Sequence, residues 1–295
     1  MDYSFQMETL PKSLVVGSAN FGAKYGAKDS QVSRLDVFKI IQDVSQRSNT
    51  FIESSDSYPG AEKIIGDALG KRKFENIIIK ISPKSFTTES SFIGSVENSL
   101  SNLNQSKVYA IMLHGVGDSL GSSRSVIRAG IRKILNLGLS EKVGVSCYSI
   151  TEVIDTKSAF PEMAIYQLPE NIVDTRKKSS KELKDFSAAG VIFQVRSIFL
   201  QGLLLGGRFM KDPRFEEIGK LHQEIKTLAE SQDMDSAELC LRYALSIDWA
   251  SQFVMGFENY EHFRMNLEIM ESVKSNISFE VTKGSEFLVD PRKWS

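Results

Sequence analysis

The sequence predicts an α/β chain closed as a (β/α)8 TIM barrel, one domain over residues 1–295 with a C-terminal extension packed on the barrel. Three observations predict it. Short apolar, β-branched runs recur along the chain, and several are apolar at consecutive positions, as suits parallel strands covered on both faces. Amphipathic segments of helical length lie between them. No Gly-rich or Pro-rich linker, repeat or low-complexity segment divides the chain, and its length suits one such barrel. Periodicity alone leaves an open doubly wound sheet as the alternative, but strands alternating with helices this regularly favour closure.

The strand runs, in order, are SLVVGS (13–18), NTFIES (49–54), NIIIKIS (76–82), VYAIMLH (108–114), KVGVSC (142–147), MAIYQL (163–168), GVIFQVRS (190–197) and SQFVMG (251–256). Between them, SRLDVFKIIQDVSQ predicts a helix with Leu35, Val37, Phe38, Ile41 and Val44 on its buried face. ESSFIGSVENSLSNL, SVIRAGIRKILNLG and FEEIGKLHQEIKTLAES read the same way, and DSAELCLRYALSI opens with capping candidates Asp235 and Ser236. The barrel is expected over about 12–275. The longest irregular stretch, about 198–213 after the seventh strand, is long enough to be expected functional. The tail, about 276–295, carries Phe287, Leu288, Val289 and Trp294, which are expected to pack back onto the body.

Composition excludes several classes. Hydrophobic residues are 41% and charged residues 25%, as in an ordinary globular protein. A net charge of −1 gives no global case for nucleic acid or an anionic membrane. No apolar run approaches the ~20 residues of a membrane span. The segment MDYSFQMETLPKS is polar, unlike a signal peptide, so a cytoplasmic location is expected. Cys147 and Cys240 suggest no disulfide framework, and the three histidines show no metal-ligand spacing, so no metal is expected.

Glu53, Tyr58, Lys80 and His114 sit at or just after the ends of three successive strand runs. Strand C-terminal ends meet at one face of a parallel barrel, where its chemistry is built. Each residue has a plain structural account. A strand-end salt bridge would explain Lys80, a hydrogen bond His114, and a helix cap Tyr58. Together they suit proton delivery to a carbonyl. Hydride addition leaves an alkoxide that needs a proton, and an ammonium beside a phenol favours the phenolate. Lys80 could serve so, with Glu53 orienting it and His114 holding the carbonyl oxygen.

At these residues the chain resembles the aldo-keto reductase family. FIESSDSYPGAEKIIGDAL is similar to the family's acid and tyrosine segment, IIIKIS to its lysine strand, and YAIMLHG to its histidine strand. VGVSCYSI, YQLPENIVD, VRSIFLQGLLLGG and FVMGFENYEHFRMNL resemble its cofactor segments, in order over nearly the whole barrel. The resemblance implies a reductase that binds a nicotinamide dinucleotide, NADPH or NADH, without a GxGxxG domain. It makes Tyr58 the general acid, tuned by Lys80 and Glu53, with His114 orienting substrate. Ser146 and Gln167 would hold the carboxamide, and the nicotinamide would be stacked from near Arg196. Ser197, Phe199 and Gln201 would line the pyrophosphate. Gly256, Phe257, Glu258, His262 and Asn266 would surround the adenosine, and Gly17 and Ser18 complete the bed.

Two departures stand out. The family's acid is normally aspartate, where this chain has Glu53; Asp56, two residues before Tyr58, is out of register. No Lys or Arg occupies the matched 2′-phosphate positions, which keeps NADH beside NADPH. VVGSANFGAKYGAKDSQVS and LVDPRKW resemble a branch met in bacterial polysaccharide biosynthesis, which implies a sugar or sugar-derived carbonyl as the small-molecule substrate. No obligate protein partner is implied. Two other readings compete: a nucleotide-binding regulatory subunit with little turnover, kept open by Glu53, and a lyase or epimerase using Lys80 as a Schiff base. The second leaves the cofactor segments unexplained.

Overall fold

The computed structural model describes residues 12–26, 29–82, 88–206 and 212–294. Parts of the expectations above, residues 1–11 and the 207–211 portion of the long loop, lie outside them. Eight strands pair in parallel and in chain order, and the eighth returns to the first to close the barrel. They are β1 (Ser13–Gly17), β2 (Thr50–Ser55), β3 (Ile77–Ile81), β4 (Val108–Leu113), β5 (Ser140–Ser146), β6 (Met163–Pro169), β7 (Ile192–Arg196) and β8 (Gln252–Met255). All eight fall on the expected runs, and closure removes the open-sheet alternative.

Side chains alternate along a strand, which decides what enters the barrel and what meets the helices. In β3, Ile77, Ile79 and Ile81 join the outer core beneath the helices, while Ile78 joins a smaller cluster with Val15, Phe51, Ala110, Met112 and Ile165. The inward set therefore continues at period two from Ile78 to Lys80, from Phe51 to Glu53, from Met112 to His114 and from Ile165 to Gln167. On these strands apolar residues fill the lower positions and polar ones the upper rim. This is why an apolar strand carries one lysine.

The helices of the outer layer are α1 (Arg34–Val44), α2 (Ala61–Leu69), α3 (Glu89–Asn102), α4 (Arg124–Asn136), α5 (Ile150–Ala159), α6 (Lys181–Ala188), α7 (Glu216–Glu230), α8 (Ser236–Leu245) and α9 (Tyr260–Glu271). Several open on a side-chain cap, including Ser33 on α1, Thr88 with Ser91 on α3, and the expected Asp235 on α8. The expected face of α1 needs correction. Val37, Ile40, Ile41 and Val44 are buried, but Leu35 and Phe38 are 63% and 50% exposed. At about 100° per residue, Leu35 falls nearly opposite Val37, and Phe38 about a quarter turn away.

After α9 the tail returns along the barrel. A short helix α10 (Glu286–Val289) buries Leu288 and Val289, and the Gly284 N–H donates to the Val173 carbonyl. Phe215 meets Phe287 and Trp294, ring centroids 5.6 and 5.3 Å away. Pro291 and Arg292 reach the rim of the barrel, as described below. Among the described residues no helix is long and apolar enough to cross a membrane.

One glycine is dictated by a close approach. In β5, beside a register shift, a Cβ on Gly144 would lie 2.4 Å from the Ile165 carbonyl oxygen on β6. Gly144→Ala should therefore destabilise the chain by about 1–3 kcal/mol, although alanine is otherwise the better residue within an element. Equilibrium urea unfolding of the two proteins checks this.

Candidate active site

A cavity of about 410 Å³ opens over the C-terminal ends of the strands. Its floor holds a buried ion pair. Lys80 and Glu53 are 3% and 2% exposed, and Lys80 Nζ lies 2.6 Å from Glu53 Oε1. Charges so buried are costly unless every donor and acceptor is matched. Here they are matched. Lys80 also donates to the Tyr58 hydroxyl at 3.1 Å and approaches Gln167 Oε1 at 3.5 Å. Burial works to lower the Lys80 pKa, but Glu53, by charge and hydrogen bond, and Tyr58 override it and hold the ammonium above the ordinary lysine value.

The pair orients what surrounds it. Lysine only donates and a carboxylate only accepts, so Gln167 must turn its oxygen to Lys80 and its nitrogen to Glu53 Oε2. Its second N–H goes to Gln194 Oε1 at 2.9 Å, and Gln194 donates in turn to Gln252 Oε1 at 2.7 Å. The phenol of Tyr109 hydrogen-bonds Gln252 at the far end. A file of amides with one direction thus runs through the barrel interior from the ion pair downward. The extra methylene of Glu53 has a use in this arrangement: its two oxygens span Lys80 and Gln167.

Tyr58 lies in the β2–α2 turn, its N–H donating to the Ser55 carbonyl. Its side chain caps no helix: α2 starts at Ala61, and its N-cap is Gly60, without a side-chain cap. Its ring meets His114 edge-on, centroids 5.6 Å apart. His114 Nδ1 lies 2.9 Å from Ser55 Oγ, which leaves Nε2 as the other ring nitrogen. Burial, then the charges of Lys80 and Arg196, push the His114 pKa down to about 3, so the ring is neutral at physiological pH. For a neutral ring to present Nε2–H, Nδ1 must accept from the Ser55 hydroxyl, whose one proton is shared among Nδ1, the Lys80 carbonyl at 2.9 Å and Asp56 Oδ1 at 3.1 Å.

The upper walls suit a dinucleotide. Ser197, Leu200 and Gln201, following β7, have φ of 61°, 48° and 55°, a run of left-handed backbone rare outside glycine. Two N–H groups close this turn on itself, Leu200 on the Ser197 carbonyl at 2.8 Å and Gly202 on the Phe199 carbonyl at 2.9 Å, which holds the Ser197, Phe199 and Gln201 side of the cavity in a fixed shape. Oδ1 of Asn20 and of Asn266 are buried in residues lining the cavity and have no partner. Orphaned acceptors of this kind await a ligand's hydroxyl or amino groups. The chain therefore fits a nicotinamide dinucleotide. No three His, Cys, Asp or Glu among the described residues converge to hold a metal.

The sequence profile of the aldo/keto reductase family matches residues 13–282. The chain belongs to the aldo/keto reductase family. As a member it is an NAD(P)H-dependent oxidoreductase. No curated protein sequence matches it significantly. Solved reductases share the fold at low identity. An aldo-keto reductase from Bacillus halodurans, in a holo form, aligns at 17% identity over 91% of both chains with a TM-score of 0.70. An aldo/keto reductase from Klebsiella pneumoniae, in complex with NADP and acetate, aligns at 17% identity over 90% of this chain and 88% of that one, with a TM-score of 0.68. A glycerol dehydrogenase from Gluconobacter oxydans aligns at 16% identity over 89% and 87%, with a TM-score of 0.66.

In this reductase the cavity gathers nearly every residue singled out from the sequence. Glu53, Tyr58, Lys80, His114, Gly17, Ser146, Gln167, Ser197, Phe199, Gln201, Gly256, Phe257, Glu258, His262 and Asn266 all line it. Ser18 does not; it is fully buried and donates to Ser54 Oγ at 2.9 Å. Gln167 lines the cavity, but both its N–H groups are spent inside the protein, so only its oxygen can still accept from a carboxamide. Asp56, out of register as expected, is exposed and accepts from the Ser82 N–H instead. Cys147 and Cys240 are free, buried thiols, each pushed up to about 12 by burial and thereby unreactive.

Other residues of the site escaped the sequence reading. Gln194 and Gln252 carried a usable signal, since a polar side chain inside an apolar strand marked Lys80 in the same way. Ser55, Asn20 and the tail residues Pro291 and Arg292 carried none. Arg264, the cation nearest the expected 2′-phosphate positions, turns to Asp43 at 3.3 Å and Glu268 at 3.5 Å. Within the cavity lining, Glu258 Oε2 lies 3.7 Å from His262 Nδ1.

The ion pair sets a stability test. Lys80→Met leaves Glu53 buried and unmatched and should cost about 3–5 kcal/mol. Combining it with Glu53→Gln should recover most of that loss in denaturant unfolding, while leaving activity lost.

Proposed function

We propose that this reductase converts an aldehyde or ketone of sugar-derived character to the alcohol, with Tyr58 as the proton donor. The observation that carries the reading is the contact of the matched, buried Lys80 with the Tyr58 hydroxyl, beside His114 and open to the cavity. The substrate oxygen would accept from the Tyr58 O–H and from His114 Nε2–H. A bound nicotinamide dinucleotide supplies the hydride chemistry. As charge gathers on the substrate oxygen, Tyr58 passes its proton, and the Lys80 ammonium stabilises the phenolate left behind. Glu53 keeps Lys80 in place, and Gln167 keeps Glu53.

Ser146 and the Gln167 oxygen are the proposed carboxamide contacts. Ser197, Phe199 and Gln201 are proposed for the pyrophosphate, and Gly256, Phe257, Glu258, His262 and Asn266 for the adenosine. The Glu258 carboxylate in the lining and the diversion of Arg264 favour an unphosphorylated ribose, hence NADH alongside NADPH. A sugar-derived substrate is supported by the polar lining from Asn20, Tyr25, Ser30 and Tyr148, by the likeness to the polysaccharide branch, and by a polyol dehydrogenase among the structural relatives. A regulatory subunit would need the nucleotide bed but not a costly buried pair aimed at a tyrosine, so the catalytic reading is preferred.

Tyr58→Phe should lower kcat for a carbonyl panel, sugars included, by about 10²–10⁴, with cofactor affinity nearly unchanged by fluorescence titration. Retained turnover would remove Tyr58 as the acid.

Neutral His114 makes a second test. In the unfolded chain the ring protonates near its ordinary value of 6.5, but in the folded state only at about 3. Between those values the unfolded state binds more protons, so stability falls as pH drops through the window. His114→Gln should flatten that part of the stability–pH curve. The wild-type rate profile should show no inflection near 6.5 from this ring.

A further inference from the structure

The charges around the reaction centre do not cancel. Lys80 is matched by Glu53 at 2.6 Å, and Arg292 by Asp290 at 2.7 Å. His114 is neutral and Tyr58 a phenol. Arg196, at the rim end of β7, lines the same cavity and is held by neutral acceptors: Ser197 Oγ at 3.2 Å and the Cys147 carbonyl at 3.5 Å. Among the described residues no carboxylate lies within 4.0 Å of it. Its guanidinium lies 4.3 Å from the centre of the Tyr148 ring, which also takes the Arg292 guanidinium at 3.7 Å. These contacts turn Arg196 toward β5 and away from β8, the strand followed by the Gly256–Asn266 segment. Its charge acts on His114 across the cavity.

We propose that Arg196 makes the site bind the neutral, reduced nicotinamide more tightly than the cationic, oxidised one. The inference rests on the carbonyl-reductase reading above. In that reaction the C4–H bond of the dihydronicotinamide breaks and its electron pair forms the new C–H bond at the carbonyl carbon. The C=O π pair moves to oxygen and takes the Tyr58 proton, which solvent replaces. The nicotinamide ends as a pyridinium with one positive charge. To have delivered hydride to a carbonyl held by Tyr58 and His114, it must lie within about 3–3.5 Å of that carbon, inside the cavity that Arg196 lines.

The pyridinium would then meet a cation that, among the described residues, no carboxylate pairs, while Glu53 beside Tyr58 is already committed to Lys80 and Glu152 lies behind Tyr148 on its N–H and 3.9 Å from Arg292. Like charges in a partly buried site repel far more than in water. The repulsion raises the product complex, which works against the transfer step itself. It also expels the oxidised cofactor, relieves product inhibition and handicaps the reverse reaction, which must begin by binding that form. The phosphates and adenosine are common to both redox forms, so their contribution cancels in the ratio of the two affinities.

Titration calorimetry with NADH, NAD+, NADPH and NADP+ tests this on the full chain. Wild type should bind the reduced member of the preferred pair at least about tenfold more tightly than the oxidised one. Arg196→Met, and Arg196→Gln, which keeps N–H donors without the charge, should shrink that ratio about tenfold; Arg196→Lys should keep most of it. Thermal unfolding establishes that each variant is folded. An unchanged ratio in the uncharged variants overturns the proposal, whether both affinities fall together, as for a phosphate anchor, or neither moves. That result leaves the reductase reading standing, whereas failure of wild type to bind any of the four ligands overturns both.

Discussion

The Glu53–Lys80 pair is the constraint around which the rest of the site is arranged. Two charges, each almost wholly removed from water, oblige their neighbours to match them atom by atom. The lysine has three protons, and its contacts account for them: Glu53, Tyr58 and Gln167. The carboxylate has two oxygens, and Lys80 and Gln167 take one each. Replacing such a pair by apolar side chains of similar volume is often neutral or stabilising. Its presence is therefore poorly explained by stability and well explained by the hydroxyl it addresses.

The same obligation spreads downward. Because the pair dictates which end of the Gln167 amide faces which charge, it dictates the orientation of Gln194 and Gln252 behind it. A barrel interior is usually filled by layers of branched apolar residues. Here an apolar layer of Val15, Phe51, Ile78, Ala110, Met112 and Ile165 shares the interior with a file of amides. The packing gives these side chains fixed positions, and the hydrogen bonds give them fixed polarity.

Upward, the chain closes the site from distant parts of its sequence. Tyr148 follows β5, Arg196 ends β7, and Arg292 belongs to the tail, which Leu288, Val289 and the aromatic contacts of Phe215 hold against the body. One tyrosine ring joins all three. The tail is therefore part of the wall of the cavity as well as a cover for apolar surface.

The sequence by itself determined the barrel, because strand and helix periods are local properties and their alternation leaves few topologies. It also determined the acid, tyrosine, lysine and histidine, since strand-end position in a parallel barrel converts sequence order into spatial convergence. What tertiary structure decided was how those groups share protons. That Glu53 bridges Lys80 to Gln167, that Gln194 and Gln252 continue the file, that Ser18 turns away and that Leu35 faces water all depend on which side chains meet across strands or helices. Arg196 shows the division most clearly. Its place at a strand end is written in the chain, but that no carboxylate among the described residues pairs with it is a fact about every such neighbour at once, and only the folded molecule assembles them.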